Sequence, residues 1–357
     1  MYSFEPTEEQ KMLVDAARRY AAELRAAGRE AEESGAFPLK LISKGWEIGI
    51  LQASIPEAFG GFGERSAVTG VLAAEELAYG DLAGALVVGT PGLFALSLLL
   101  AGSDEQRKQY LPKVIEADWK PYTAALIEPA FDFDPNELKT TAVLDGDQYI
   151  LKGEKTLVPY AAEAEALIVF AKLEGATRGF IVPKGIYRVG EEREKFMGLN
   201  AIPFHRVIIE ASVPASNLLP GDFAPVLDAM RVANSCSAVG VAKAAFEYAR
   251  DYAKERDVFG MKVAQKQAIA FMLAEMGTEI EAVRLLVWEA AWAIDGKKED
   301  ASQKAYLAYC AASDMAMMVT DRAVQILGGH GYIREHPVEM WMREGRGFAS
   351  FTGLAMV

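Results

Sequence analysis

The sequence contains only two cysteines, Cys236 and Cys310, and three histidines, His205, His330 and His336. Two cysteines cannot build a disulfide framework, and their scarcity fits a reducing, cytoplasmic setting. The histidines do not recur at metal-ligand spacing and neither cysteine has a close partner, so no zinc or iron site is predicted. A basic run is missing too: 37 Lys and Arg face 50 Asp and Glu, a net charge of −13. Such a chain repels phosphate backbones and anionic lipid surfaces, which argues against nucleic-acid and membrane-surface roles. The N-terminal Met-Tyr-Ser-Phe-Glu-Pro-Thr-Glu-Glu lacks the basic-then-apolar layout of a signal peptide. There is no Gly-x-Ser-x-Gly nucleophile elbow and no phosphate loop ending in Gly-Lys-Ser/Thr.

What is present is globular. Apolar residues make up 51% and charged residues 24% of 357 positions, and at about 150 residues per domain the chain holds two or three packed units. Leu82 to Gly102 carries no charge and is long enough to span a bilayer. Thr90-Pro91-Gly92 interrupts it, and its flanks are acidic, so two buried helices joined at Pro91-Gly92 are expected instead of a membrane span.

Three regions follow from the periodicity. Residues 1–121 read as an N-terminal helical domain. Thr7 to Gln10 forms a capping box, Leu13, Ala16, Ala17, Tyr20, Ala21 and Leu24 share one helical face, and Ser103 to Gln106 opens a later helix. Pro112 is compatible with a loop, an early helical turn or a kink. Residues 122–222 switch to a period of two, a middle antiparallel β domain forming a barrel or sandwich. Asp145-Gly146 and Glu174-Gly175 each separate two β-rich runs, the signature of a tight hairpin. Residues 223–357 return to long helices with short connections, a C-terminal four-helix bundle. Its packing stripes run through Ala238, Ala242, Ala245, Ala249 and Tyr252, through Ile269, Met272, Met276, Ile280, Val283 and Val287, and through Ala305, Ala308, Ala312, Met315, Val319, Ala323 and Ile326. Asp300 to Gln303 reads as another capping box, and Gly296 and Gly328-Gly329 as helix stops. On these grounds alone the chain is a soluble, mostly helical α+β protein.

The ordered motifs carry more. Pro56-Glu57-x-Phe59-Gly60-Gly61-x-Gly63, Glu75-Glu76-Leu77-Ala78 and Gln109-Tyr110-Leu111-Pro112-Lys113 come first. Glu128-Pro129, Lys155, Lys195-x-Met197-Gly198 and Val213-Pro214 follow. The bundle holds Arg256-x-x-Phe259-Gly260, Gln267, Ala323-Val324-Gln325-Ile326-Leu327-Gly328-Gly329-x-Gly331-Tyr332 and Pro337-Val338-Glu339. Over nearly its whole length the chain resembles the flavin-dependent acyl-CoA dehydrogenases. That resemblance implies their fold, with FAD as cofactor and α,β-desaturation of an acyl-CoA thioester as the reaction. A glutamate removes the α-proton while the β-hydride leaves for the flavin.

This sequence departs from the family at the reacting centre. Counting from Arg343-Glu344-Gly345-Arg346, the segment Phe351-Thr352-Gly353-Leu354 puts Thr352 where the family carries its base, and a hydroxyl is far too weak a base to replace a carboxylate. The alternative base position, before Arg231, is Met230. The flavin-ring segment Thr-Glu-Pro-Gly-x-Gly-Ser-Asp becomes Ile127-Glu128-Pro129-Ala130-Phe131-Asp132-Phe133-Asp134, and Trp-Ile-Thr becomes Leu157-Val158-Pro159. Pro159 has neither hydroxyl nor backbone N–H.

The positions that lay the ADP half of a neighbour's FAD on the bundle are kept: Arg256, Phe259, Gln267, Gln325, Gly328 and Gly329. Singly each has a plainer reading, with Phe259 in the core, Gln325 solvated, the glycines a helix end and Arg256 paired with Glu255 or Asp257. Together they resemble the base-less subunit of heterotetrameric acyl-CoA dehydrogenases, in which homologous chains share one FAD per heterodimer. Implied partners are a homologous subunit carrying the catalytic glutamate, an acyl-CoA in that subunit, and an electron-transfer flavoprotein as acceptor. Two alternatives stand beside it: a self-sufficient homotetrameric dehydrogenase or oxidase with a relocated base, and a flavin-free scaffold of the same fold.

Overall fold

The computed structural model describes residues 5–348 and 352–357. The chain opens with helices α1 (Glu8–Ser34), α2 (Leu39–Trp46), α3 (Ile50–Ala53), α4 (Ala67–Gly80), α5 (Leu82–Ala101) and α6 (Asp104–Val114). The capping box expected at Thr7 forms, and the helix expected to open at Ser103 begins with another. Thr7 Oγ1 accepts from Gln10 N while Gln10 Oε1 accepts from Thr7 N, and Ser103 and Gln106 repeat the exchange at the start of α6.

The break expected at Pro91-Gly92 does not occur, because α5 runs through both residues as one helix. Proline removes one N–H from the helical ladder, but 83% of the most apolar window of α5 is buried, and packing against both flanking cores outweighs that loss. The helix is long and apolar enough to cross a membrane by length and composition alone; here it is a core helix. Pro112 likewise lies inside α6, in its last turn.

The middle of the chain supplies β1 (Thr123–Ala125), β2 (Thr141–Asp145), β3 (Gln148–Pro159), β4 (Ala166–Leu173), β5 (Ala176–Pro183), β6 (Arg188–Val189) and β7 (Phe204–Pro214). Its ladders are antiparallel between β2 and β3, β3 and β7, β4 and β5, and β6 and β7. Both predicted hairpins form. Leu173 pairs with Ala176 across Glu174-Gly175, whose φ values of 50° and 86° are those of a two-residue turn with left-handed backbone. Two parallel pairings were not foreseen: β1 joins β4 through Thr123↔Leu167, and β2 touches the same strand at Thr141↔Lys172. Since β5 occupies one edge of β4, β1 and β2 share the other.

The remainder is α7 (Ala224–Glu255), a small hairpin of β8 (Asp257–Val258) and β9 (Met261–Lys262), then α8 (Gln267–Asp295), α9 (Ala301–Leu327) and α10 (Val338–Phe348). Helix α7 lies at the centre, against α8, α9 and α10 of the bundle and against α4 of the first region. The predicted box at Asp300 does not form. Asp300 sits at φ −92°, ψ 8°, outside the extended backbone a capping side chain needs, and its carboxylate pairs with Lys304 at 3.0 Å.

A buried acidic cluster joins three parts of the fold. Asp81 caps α5 by accepting from Gly84 N at 2.8 Å; Glu32 of α1 accepts from Asn200 N at 2.8 Å and pairs with Arg343; Glu344 of α10 is fully buried beside them. Burial is the main force raising the Asp81 carboxyl to about 6, with the Glu32 charge adding to it. The folded chain therefore binds this proton more tightly than the unfolded chain, and ionised Asp81 costs stability above about pH 6 that vanishes as pH falls toward 3.8. Asp81→Asn retains a capping side chain. It should be more stable than wild type at pH 8 by on the order of 1–3 kcal/mol, the gap narrowing below about pH 6 and nearly closed at pH 3.8 in paired denaturant melts. A gap that does not depend on pH would separate Asp81 from this titration.

Candidate functional site

Short connections make α7, α8 and α9 alternate in direction, so the C-terminus of α7, the N-terminus of α8 and the C-terminus of α9 meet at one end of the bundle. That end carries all six predicted ADP-side residues. Arg256 is the residue at which α7 stops, Phe259 is in the turn of the β8–β9 hairpin, Gln267 opens α8, Gln325 is in the last turn of α9, and Gly328 and Gly329 follow it. A hydrogen bond of 2.8 Å between Tyr252 Oη and His330 Nδ1 joins the end of α7 to the glycine turn.

The plainer readings of two residues fail. Phe259 is not core: it is 96% exposed and adopts φ 54°, a left-handed backbone that costs a non-glycine residue energy. Lys266 Nζ lies 5.7 Å from its ring centroid. Arg256 forms no ion pair with Glu255 or Asp257, and the Asp257 carboxylate is bound instead to Lys262 at 2.7 Å. Among the described residues the exposed Arg256 guanidinium has no hydrogen-bond or ion-pair partner. Gly328 has φ 58° and ψ −128°, and a side chain at Gly328 or Gly329 would meet open space. The surface thus offers a free cation, an exposed aromatic face and bare backbone, the set that suits a nucleotide diphosphate.

The ring side is built differently. Ile127 and Leu157 are buried in the main core, and Phe133 packs against two core clusters where the family has a hydroxyl. At a bulge in β3, Leu157 N and Thr156 Oγ1 both donate to the carboxylate of Glu194, so these donors are used within the chain. Glu128 is likewise committed: it accepts from Lys139 N at 2.7 Å, Thr140 N at 2.8 Å and Lys155 Nζ at 3.0 Å. Burial lowers the Lys155 ammonium to about 8, and Glu128 keeps it from falling further. Phe131, 115% exposed, projects from the same loop into solvent.

Neither base position holds an acid. Met230 is fully buried in the core. Thr352 is buried and hydrogen-bonded to Tyr309, whose hydroxyl is raised by burial and partly restored by that bond. Phe351 lies outside the described residues. Beyond Thr352, Leu354 to Val357 form one wall of an apolar cavity of about 110 Å³, opposite Trp46, Leu86 and Gly89.

Comparison with known proteins gives the same outline. The acyl-CoA dehydrogenase N-terminal domain matches residues 7–118 and the acyl-CoA dehydrogenase C-terminal domain matches residues 224–355. Caffeyl-CoA reductase-Etf complex subunit CarC of Acetobacterium woodii is 35% identical, over 98% of this chain and 96% of that protein. The chain belongs to the acyl-CoA dehydrogenase family. Cyclohex-1-ene-1-carbonyl-CoA dehydrogenase of Syntrophus aciditrophicus is 34% identical over 98% of this chain and 87% of that protein. The structure of butyryl-CoA dehydrogenase from Megasphaera elsdenii matches with a TM-score of 0.89 at 31% identity, covering 99% of this chain and 96% of that one.

Acyl-CoA dehydrogenases use FAD, and the residues of this member fit one half of it. The ADP end fits, on the open backbone at Gly328-Gly329 and the unpartnered Arg256. The ring side does not: the apolar Ile127 and Phe133 stand where the family has hydroxyls, Pro159 has no N–H to offer, and Leu157 N already donates to Glu194. Sequence reasoning missed Glu194 and Tyr309, which lie outside the family motifs and act only by three-dimensional proximity.

Phe259 gives a clean test of site against stability. If the left-handed backbone is kept for an external ligand, Phe259→Asn should relieve strain and stabilise the isolated chain by about 0.5–1 kcal/mol in thermal melts. A loss of stability instead would mean that Phe259 serves the fold.

Proposed function

We propose that this acyl-CoA dehydrogenase family member is the base-less subunit of a hetero-oligomeric enzyme, in which it supplies the ADP end of a FAD site completed by a homologous chain. The carrying observation is the contrast within one molecule: Phe259 is exposed and Arg256 is exposed with no partner among the described residues, whereas Thr352 and Met230 leave no carboxylate at either base position. When bound, FAD supplies the acceptor for the β-hydride in α,β-desaturation of an acyl-CoA thioester. The partner contributes the glutamate that takes the α-proton, while this chain binds the pyrophosphate through Arg256 and presents bare backbone at Gly328 and Gly329. Gln267 and Gln325 stand beside them as amide donors and acceptors.

Further support comes from α8. Phe271, Leu285 and Trp292 recur there at whole heptads and stay exposed, a stripe suited to a second helical surface. A cytoplasmic hetero-oligomer that passes electrons to an electron-transfer flavoprotein fits this reading, and the relative in Acetobacterium woodii is named as a subunit of an Etf complex.

The chain purified alone should lack stoichiometric FAD and should not reduce a dye with acyl-CoA substrates. Thr352→Glu should not change that, because the added carboxylate faces no ring pocket. A full flavin spectrum with turnover by this chain alone would favour the self-sufficient reading. Absence of flavin even in the co-purified complex would favour the scaffold.

Arg256→Ala tests the ADP end directly. A charge-assisted bond is worth about 1.5–3 kcal/mol, so FAD affinity of the co-assembled enzyme should fall about ten- to a hundred-fold, and excess FAD should restore part of the activity. Titrating flavin into the apo-complexes of wild type and mutant measures it; equal dissociation constants would remove Arg256 from the site.

A further inference from the structure

Two of the three histidines in the chain sit at the ADP end, and the family motifs assign neither of them. His330 lies in the turn Gly328–Tyr332 directly after the bare glycines, and His336 lies between that turn and α10. Their rings stack at 5.3 Å with an interplanar angle of 14°. Each is also bonded to a tyrosine of α7: Tyr252 Oη to His330 Nδ1 at 2.8 Å, and Tyr248 Oη to His336 Nδ1 at 2.7 Å. Tyr248 and Tyr252 are one helical turn apart, so a ladder of two phenols faces a ladder of two imidazoles.

We infer that Tyr252 and His330, backed by Tyr248 and His336, are positioning residues that clasp the Gly328-Gly329 turn in the geometry needed by the pyrophosphate of a dinucleotide. The inference rests on the ADP-end reading proposed above. Tyr252 is the shared joint. Its carbonyl accepts from Arg256 N at 2.9 Å, which fixes where α7 hands over to the arginine, and its hydroxyl holds His330. The arginine arm and the glycine arm of the site are therefore referenced to one residue.

The turn needs such a tie. Gly328 leaves the helix at φ 58°, ψ −128°, and among the described residues nothing lies where a β-carbon of either glycine would point. On the inner side Gly331 lies tight against the Val324 carbonyl, where a β-carbon would come to 2.4 Å. Between the open and the packed glycine, His330 carries the only side chain, and it runs back to α7. The outer imidazole is anchored separately, because the His336 carbonyl accepts from Arg29 of α1 at 3.2 Å and its ring meets Tyr248. A backbone held in its binding geometry before the ligand arrives loses less freedom on binding, which appears as affinity.

The test combines FAD titration of the co-assembled enzyme with amide hydrogen exchange on this chain alone, for Tyr252→Phe, His330→Ala, the double variant and Arg256→Ala. Tyr252→Phe keeps the ring and removes only the hydroxyl, so it guards against simple unfolding. Each single variant should raise the FAD dissociation constant about three- to ten-fold, as loss of one hydrogen bond does. The double variant should be no worse than the stronger single, because both remove one bond. Exchange at residues 328–332 should quicken in each. Unchanged FAD affinity or unchanged exchange in Tyr252→Phe, with Arg256→Ala still weakening FAD, would overturn the clasp and leave the ADP-end reading standing. FAD affinity insensitive to all variants, including Arg256→Ala, would overturn both.

Discussion

Close approach of α4 to α7 is the constraint on which the rest of the molecule depends. A β-carbon at Gly240 would come within 2.5 Å of the Glu75 carbonyl and 2.8 Å of Tyr79 N, so only glycine lets the two backbones meet. The stripe of Ala238, Ala242, Ala245 and Ala249 keeps the rest of α7 equally slim, and every one of these residues is buried. Charged side chains brace the contact from its rim. Glu75 of α4 pairs with Arg284 of α8 at 2.9 Å, and Glu76 pairs with Lys243 of α7 at 3.4 Å and Arg18 of α1 at 3.1 Å. Because α7 is held along its length, its end is a fixed reference, and the ADP-end residues inherit that rigidity.

The two ends of the family's site obey opposite physics in this chain. At the ADP end the Arg256 guanidinium is exposed with no partner among the described residues, and Phe259 accepts an unfavourable backbone to stay exposed. On the ring side the motif residues are committed within the chain, Glu128 to Lys155, Leu157 N to Glu194, and Ile127 and Leu157 to the apolar core. A buried ion pair broken by removing one member is costly, so Glu128 and Lys155 are kept by the fold itself whether or not a flavin ring is near. Retained motif residues on that side therefore say little about ligand binding. Unpaired ones at the other end say more.

Much was legible in the sequence wherever the information is local. Thr7 with Gln10 and Ser103 with Gln106 form their capping boxes because both partners lie within one turn. The two hairpins form because glycine permits the turn regardless of surroundings. Local signals misled where burial or backbone state overrode them: Pro91 did not break a helix that is largely buried in the core, and Asp300 did not cap because its backbone is already near-helical.

The sequence by itself determined the family, the order of helices and strands, and the absence of an acid at Thr352 and Met230, since these are matters of residue identity and spacing. Tertiary structure alone decided which candidate residues are free. Whether Arg256 has a partner depends on Lys262 claiming Asp257, and whether Phe259 is core depends on a hairpin turn that points it outward. It also decided that β1 and β2 share one edge of β4, and that Tyr252 and His330, far apart in the chain, come within 2.8 Å. Contacts of that kind are fixed by how helices of given width pack in three dimensions, and no local pattern records them.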